Sequence, residues 1–314
     1  MPNTQTSLDR RADSGPRRDT FSVPKPAWLK VKLPTQPSFF KIAELLKKDN
    51  LHTICQSARC PNVFACWSAR TATFLILGDI CARQCGFCAV RKGTPLPLST
   101  AEPWQVAEAV ASMGLDYAVV TSVTRDDLPD GGASVFAQTI RAIRQLRPRT
   151  KVEVLIPDFR GDETPLSTVI AAGPDVVNHN LETAESCFPS INRPKENYHR
   201  SLRVLALARE MGMLTKSGLM VGLGEAPSDL DQALADLRAA GCSLLTVGQY
   251  LQPTKDNLAV SRYYTPEEFE EIKTQALALG FRQVESSPLA RSSFQAGRMY
   301  LAASSGGAAD PCVT

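Results

Sequence analysis

Short apolar runs alternate with helix-spaced apolar positions along most of the chain. Residues 73–77 are a run of strand length. From Glu102 to Met113 the apolar positions Val106, Ala109, Val110 and Met113 recur at helical spacing, and Gly114 follows as a stop. The alternation predicts further strands at 117–123, 151–156, 175–178, 216–221 and 243–247. It predicts helices at 133–146, 166–172, 198–211 and 228–240. A last helix over 265–279 has Thr265 as N-cap, Pro266 at its first position and Gly280 as stop. Six strand–helix units in series imply parallel strands with crossover helices. Residues 71–280 supply about 210 positions, fewer than the ~250 of a closed eight-unit barrel. The expected fold is therefore α/β, a partial (β/α)6 TIM-type barrel. A doubly wound sheet is the alternative, but no G-x-G-x-x-G follows the first strand. Either arrangement puts chemistry at the carboxyl ends of the strands.

The rest of the chain divides by pattern. Residues 1–24 are polar, broken by Pro and Gly, and read as a disordered tail. Residues 25–70 form an N-terminal extension, 281–303 a short C-terminal cap, and 304–314 a Ser/Gly/Ala-rich flexible tail.

Composition removes several functions. The chain has 314 residues, 43% hydrophobic and 21% charged, as in ordinary globular proteins. A net charge of +3 is too small to make nucleic acid the main partner. No apolar run reaches 18 residues, so no membrane span is expected. The N-terminus lacks a secretory apolar stretch, and Asp9, Asp13 and Asp19 count against a transit peptide. A cytoplasmic location is expected.

The cysteines change the picture. There are nine: Cys55, Cys60, Cys66, Cys81, Cys85, Cys88, Cys187, Cys242 and Cys312. Without a secretory signal, clustered thiols in a long chain suggest metal ligation rather than disulfides. Cys187, Cys242 and Cys312 are scattered and read as ordinary core or tail residues. Cys81, Cys85 and Cys88 form a C-x3-C-x2-C run just past the first predicted strand. Three thiolates on one loop can each hold one iron of a four-iron cluster and leave the fourth iron open. Structural zinc wants four ligands, and no His is near this loop. Cys55, Cys60 and Cys66 form a C-x4-C-x5-C run, again one ligand short. Zinc completed by His52 is the competing reading there.

The loop at 81–88, with Phe87 before its last Cys, resembles the signature of the radical S-adenosylmethionine enzymes. That resemblance implies that Cys81, Cys85 and Cys88 hold a 4Fe-4S cluster. Its open iron would chelate S-adenosylmethionine, and Phe87 would lie near the adenine. Reduction would cleave the cofactor to methionine and a hydrogen-abstracting 5′-deoxyadenosyl radical.

Further blocks narrow the likeness. They are A-R-C-P-N-V at 58–63, C-W-S at 66–68, A-T-F-L-I-L-G-D at 72–79 and C-G-F-C-A-V at 85–90. T-S-V-T-R-D-D-L-P-D-G-G-A at 121–133, N-H-N-L-E-T at 178–183, K-S-G-L-M-V-G-L-G-E at 216–225 and R-S-S at 291–293 continue it. Over about 25–297 the chain resembles the lipoyl synthases. In that family Cys55, Cys60 and Cys66 would hold a second, auxiliary 4Fe-4S cluster that is consumed as the sulfur source. Its fourth ligand would be a serine of R-S-S, Ser293 in preference to Ser292. From residue type alone either serine reads as a helix cap. A hydroxyl is a poor iron ligand beside thiolate, which suits a cluster that must be taken apart.

The same resemblance implies sulfur insertion at C6 and C8 of an octanoyl chain on a lysine of a lipoyl carrier domain, using two S-adenosylmethionine. The expected partners are that carrier (a dehydrogenase E2 subunit or glycine cleavage H protein), a ferredoxin- or flavodoxin-type electron donor and a cluster-assembly carrier. Another radical sulfur-insertion enzyme and a zinc-stabilised scaffold are the alternatives. Phe294 stands where the family usually has Tyr, and S-P-L-A at 287–290 replaces G-P-L-V.

Other polar residues are weighed by position. Asn178, His179, Asn180 and Glu182 follow a strand end and are candidates to bind cofactor ribose or substrate, against the reading of a polar turn. Lys216 is a candidate partner for a cofactor carboxylate, or merely opens a strand. Gly222 and Gly224 allow close approach to a ligand, or form only a turn. The run Arg125, Asp126, Asp127 either anchors a helix or binds the cofactor. His179 and His199 are not expected to be metal ligands.

Overall fold

The computed structural model describes residues 24–30, 37–48, 51–68 and 72–305. The predicted tails at 1–24 and 304–314 lie outside these, apart from Pro24, Ser304 and Ser305.

The N-terminal extension contributes α1 (Pro37–Lys48), β1 (His52–Thr53), α2 (Ile54–Ser57) and α3 (Val63–Ser68). The barrel then begins with β2 (Thr73–Ile76), and a small ladder, β3 (Ile80–Cys81) and β4 (Arg91–Lys92), follows. Next come α4 (Glu102–Met113), β5 (Tyr117–Ser122), α5 (Ala133–Leu146), β6 (Lys151–Leu155), α6 (Glu163–Ile170), β7 (Val176–Asn178) and α7 (Glu196–Glu210). The series ends with β8 (Thr215–Val221), α8 (Pro227–Ala239), β9 (Leu244–Gln249), α9 (Pro266–Ala278), β10 (Gln283–Ser287) and α10 (Ala296–Ser305).

The sheet runs β1-β2-β5-β6-β7-β8-β9-β10. Only β1 is antiparallel, paired to β2 at the edge. The six strand–helix units are present in the expected order, as a partial TIM-type barrel whose sheet ends at β1 and β10. Local chemistry sets the helix bounds. Gly114 ends α4 at φ 62°, a conformation that costs glycine little. Thr265 and Glu268 cap α9 reciprocally: the Glu268 N–H donates to Thr265 Oγ1 at 3.3 Å, and the Thr265 N–H to Glu268 Oε2 at 2.8 Å.

Two segments differ from the sequence reading. The predicted cap contains a seventh parallel strand, β10, in register with β9. Its buried positions alternate, Val284 and Ser286 facing in. Only one of these is apolar, so the pattern is faint. Helix α6 begins earlier than predicted because the Asp162 carboxylate accepts the Thr164 N–H at 2.9 Å and caps it.

Outside the sheet, Val106, Val110, Phe136, Ile140 and Ile143 bury the helical faces. Inside is a polar knot. Lys216 Nζ lies 3.0 Å from Glu153 Oε1, and both side chains are 0% exposed. Tyr117 OH donates to Glu153 Oε2 at 2.7 Å, and Asn178 Nδ2 to Oε1 at 2.9 Å. Burial and the Glu153 charge push the Tyr117 phenol far above its usual range. Of the two readings of Lys216, the structure fits the residue that opens a strand, at the start of β8, and not the partner of a cofactor carboxylate. Lys216 is sealed in the barrel against Glu153, because a buried ammonium requires a buried counter-charge.

Candidate active site

The second cysteine triplet follows the abrupt end of β2. Leu77 (φ 69°) and Gly78 (φ 86°) turn the chain out of the sheet. Their N–H groups donate to the Glu102 carboxylate at 2.7 and 3.3 Å. The loop that follows is held from several strand ends. Arg83 Nε donates to Asp126 Oδ2 at 2.7 Å and Nη2 to Asp158 Oδ1 at 2.6 Å. Burial alone would raise the Asp158 carboxyl, but the Arg83 hydrogen bonds and charge outweigh it and hold it well below the usual range. The Gly86 N–H donates to Ile191 O at 2.9 Å, and Asn192 Nδ2 to Gln84 O at 2.9 Å.

Donors also point at the sulfurs. Arg193 Nε is 3.3 Å from Cys85 Sγ, and the Arg83 N–H is 3.4 Å from Cys81 Sγ. Burial, then the charges of Cys85, Glu182 and Cys81, push the Cys88 thiol up to about 11.

The first triplet sits on α2, α3 and the turn between them. Thr53 caps α2 by accepting the Gln56 N–H. Arg59 at φ 51° reverses the chain, and the Cys60 N–H donates to Cys55 O at 2.9 Å. Cys55 lies beside Thr73, at the start of β2, so the two triplets flank opposite ends of that strand. Asn62 Nδ2 donates to Leu289 O at 2.6 Å, tying this segment to the turn after β10. The segment thus bridges the two ends of the open sheet. Burial pushes the Cys66 thiol up to about 12, with Cys60 and Cys55 adding repulsion.

One cavity of about 410 Å³ adjoins both triplets, within the usual range for small-molecule sites. Cys55, Cys60, Phe87, Cys88, Asn180, Glu182, Ser292 and Ser293 are among its lining residues. The Arg193 guanidinium sits 5.9 Å from the centre of the Phe87 ring. Burial raises the Glu182 carboxyl, and Arg193 opposes the rise. Ser292 Oγ donates to Asn180 Oδ1 at 2.9 Å. No hydrogen bond engages Ser293 Oγ among the described residues. Two glycines let the wall pack closely. A Cβ at Gly218 would stand 2.7 Å from Asn180 Oδ1, and one at Gly248 would clash with Ala290 O.

Of the predicted site residues, Cys55, Cys60, Cys88, Phe87, Asn180, Glu182 and Ser293 meet at this cavity, while Cys66, Cys81 and Cys85 stand behind its wall. Lys216 is not among its lining residues. His179 is buried, its ring nitrogens 2.8 Å from Ile156 O and 3.0 Å from Ser201 Oγ. Arg125 grips Asp127 and Leu77 O, which makes it an anchor. Gly222 and Leu223 donate their N–H groups to Glu225, closing a turn. His199 pairs with Glu185 at the surface, Cys187 and Cys242 are buried, and Cys312 lies outside the described residues. Sequence reasoning missed Arg193, Arg83, Asp158 and Asn62. Their contacts span 43 to 227 positions, and no local spacing announces them.

The thiols fit an iron–sulfur cluster better than a single ion. No three His, Cys, Asp or Glu side chains among the described residues gather closely enough for one metal ion. A four-iron cluster spreads its thiolates, one to each iron. Thiols that burial and mutual repulsion keep protonated lose their protons when a cationic centre binds. The donors aimed at Cys81 and Cys85 suit anionic sulfur.

Comparison with known proteins agrees. The Radical SAM superfamily model matches residues 75–237, and that of the N-terminal domain of lipoyl synthase matches residues 3–60. A lipoyl synthase of Rubrobacter xylanophilus is 54% identical over 274 residues, 87% of this chain and 85% of that protein. One from Chlorobaculum parvum is 53% identical over 277 residues, covering 87% and 94%. Among solved structures, Streptococcus suis SuiB bound to S-adenosylmethionine superposes with a TM-score of 0.53 at 11% identity, covering 82% of this chain and 58% of that one. HydG, a maturase of the FeFe-hydrogenase, gives 0.51 at 14%, covering 86% and 75%. These two likenesses speak for the fold alone. With its extension and its barrel both matched, the chain belongs to the lipoyl synthase family of radical S-adenosylmethionine enzymes.

Proposed function

We propose that this enzyme inserts two sulfur atoms, at C6 and C8, into an octanoyl chain carried on a lysine of a lipoyl carrier domain. The observation that carries this reading is the single cavity bordered by both triplets. Cys81, Cys85 and Cys88 hold one four-iron cluster and leave an iron for S-adenosylmethionine. Cys55, Cys60, Cys66 and Ser293 hold the second. When bound, the first cluster with its cofactor supplies one-electron removal of hydrogen from unactivated carbon, and the second supplies sulfur.

The chain's own residues do the positioning. Phe87 and Arg193 offer a flat face beside Cys88 for an aromatic base. Asn180, fixed by Ser292, and Glu182 offer acceptors for the polar end of the cofactor. Ser293 Oγ makes no hydrogen bond to the described residues and is available as the weak fourth ligand. The apolar part of the cavity, with Leu155, Leu219 and Met220, suits an acyl chain and keeps water away from it.

The same reading includes two S-adenosylmethionine per product and a dehydrogenase E2 subunit or glycine cleavage H protein as carrier. It includes a ferredoxin- or flavodoxin-type electron donor, a cluster-assembly carrier and work in the cytoplasm. No helix among the described residues is long and apolar enough to cross a membrane. Anaerobic reconstitution tests the proposal. About eight irons and eight sulfides per chain, two clusters' worth, with lipoyl product on an octanoylated carrier domain, is the expected result. Two zincs and no product would overturn it.

A further inference from the structure

The segment after β9 has no regular secondary structure between Tyr250 and Tyr264, yet it is heavily braced. Tyr250 OH donates to Leu258 O at 2.7 Å, and Gln252 Nε2 to Asn257 O at 2.7 Å. Thr254 Oγ1 donates to Asn257 Oδ1 at 2.8 Å, and the Asn257 N–H donates to Thr254 O at 3.1 Å. This fixes the carboxamide with its NH2 turned outward.

Both of those N–H groups go to the second triplet. Asn257 Nδ2 is 3.0 Å from Gly86 O and 3.0 Å from Cys88 O. Beside it the Leu258 N–H donates to Gly86 O at 3.1 Å, and the Leu258 side chain fills the space where a Cβ on Gly86 would be. The other end of the same segment meets the first triplet's loop, where Arg59 Nη1 donates to Pro253 O at 3.3 Å. Leu251, Gln252 and Pro253, up to and including the Arg59 contact, line the shared cavity.

We propose that residues 250–258 form a bracket that sets the spacing between the two cysteine triplets, with Asn257 as its positioning residue. The inference rests on the two-cluster reading above. Hydrogen removal and sulfur delivery must act on the same carbon, so the distance between the sites is a kinetic quantity. A misplacement of about 1 Å can cost on the order of 100-fold. Asn257 holds the backbone on either side of Phe87, so it places Cys88 and Phe87 without touching substrate.

The test compares the reconstituted wild type with Asn257→Asp and Asn257→Ala. Asp has the same shape and can keep the Thr254 contact, but turns an acceptor toward two carbonyls. Iron content and 5′-deoxyadenosine formation stay near wild type. Sulfur inserted per 5′-deoxyadenosine falls roughly 10- to 100-fold in both variants. The dipolar coupling between the two reduced clusters, read by electron paramagnetic resonance, shifts with it. Wild-type coupling and wild-type sulfur yield in Asn257→Asp would overturn the bracket. So would loss of iron and of cofactor cleavage, because Asn257 would then build the loop rather than place it. A wild type with two clusters' iron but no lipoyl product would instead overturn the functional reading, whatever the variants do.

Discussion

The two triplets have the same ligand chemistry and opposite mechanical settings. The loop of Cys81, Cys85 and Cys88 is gripped by Asp126, Asp158, Ile191, Asn192 and Asn257, from four different strand ends. Donors also reach two of its sulfurs. Among the described residues, the segment of Cys55, Cys60 and Cys66 makes two side-chain hydrogen bonds to the barrel and its loops, Asn62 to Leu289 O and Arg59 to Pro253 O. Beside it the short β1 pairs with β2 of the barrel, and within the extension Phe39 packs 5.3 Å from Trp67. On the proposed function, the centre that must survive many turnovers is the one built into the barrel, and the one that gives up its sulfur is the one hung across the barrel's open side. A weak serine ligand would suit the second design.

The sharpest way to break this comparison is to remove one thiol from each triplet. Cys81→Ala is expected to abolish 5′-deoxyadenosine formation altogether. Cys55→Ala is expected to retain cofactor cleavage and lose all sulfur insertion. Chromatographic measurement of both products decides it, and normal lipoyl product from Cys55→Ala would end the division of labour.

The next effect is on stability. Asp158 binds its proton more weakly in the fold than in the unfolded chain, because Arg83 holds the charged form. Its contribution is whole above the ordinary carboxylate value near pH 4 and is lost as pH falls below that value. Asp158→Asn leaves Arg83 paired only with Asp126, so the loss is that of a charged hydrogen bond, about 1.5–3 kcal/mol. Denaturant unfolding at pH 7 should show that gap between wild type and variant, narrowing below about pH 4. A gap that ignores pH would mean the Arg83 clamp does not depend on charge.

Much of this was legible in the sequence, and the exceptions have a common cause. Helices α4 and α5 were readable to the residue, because their apolar spacing is regular, Gly114 ends the first and Gly132 precedes the second. The two cysteine triplets stood out as candidate ligands because their spacing is local. Strand β10 was hidden because Gln283, Glu285, Ser286 and Ser287 are polar and its pairing partner β9 lies across a helix. Lys216 was left between two roles because its partner Glu153 lies 63 positions away and nothing in either neighbourhood names the other. Residue type suggested what each group can do. Which groups meet depended on tertiary closure.

A smaller effect separates the two serines. Ser293→Ala is expected to lower sulfur insertion roughly 10- to 100-fold, at least what loss of a metal's outer partner costs. Ser292→Ala removes one neutral hydrogen bond to Asn180, worth about 1 kcal/mol or roughly fivefold. That loss should fall on cofactor binding. Saturation curves for S-adenosylmethionine in the two variants make the distinction. The reverse ranking would move the ligand to Ser292.

The gentlest test loosens the hanging segment without touching a ligand. Asn62 is buried, and its amide is the bond between the first triplet and the turn after β10. Asn62→Ala leaves Leu289 O without that partner and should cost about 1–2 kcal/mol, too little to unfold the barrel. If the two triplets differ in how they are held, the loss is local. Iron should leave the Cys55 site up to roughly tenfold faster under a chelator, which is what 1.4 kcal/mol amounts to. Cofactor cleavage at the Cys81 site should be unchanged. Equal loosening of both sites would show that one rigid body holds them, and the contrast between a fixed and a hanging centre would fail. A faster first turnover in this variant would carry the comparison further, because the tether that keeps the sulfur source in place would also be what slows its surrender.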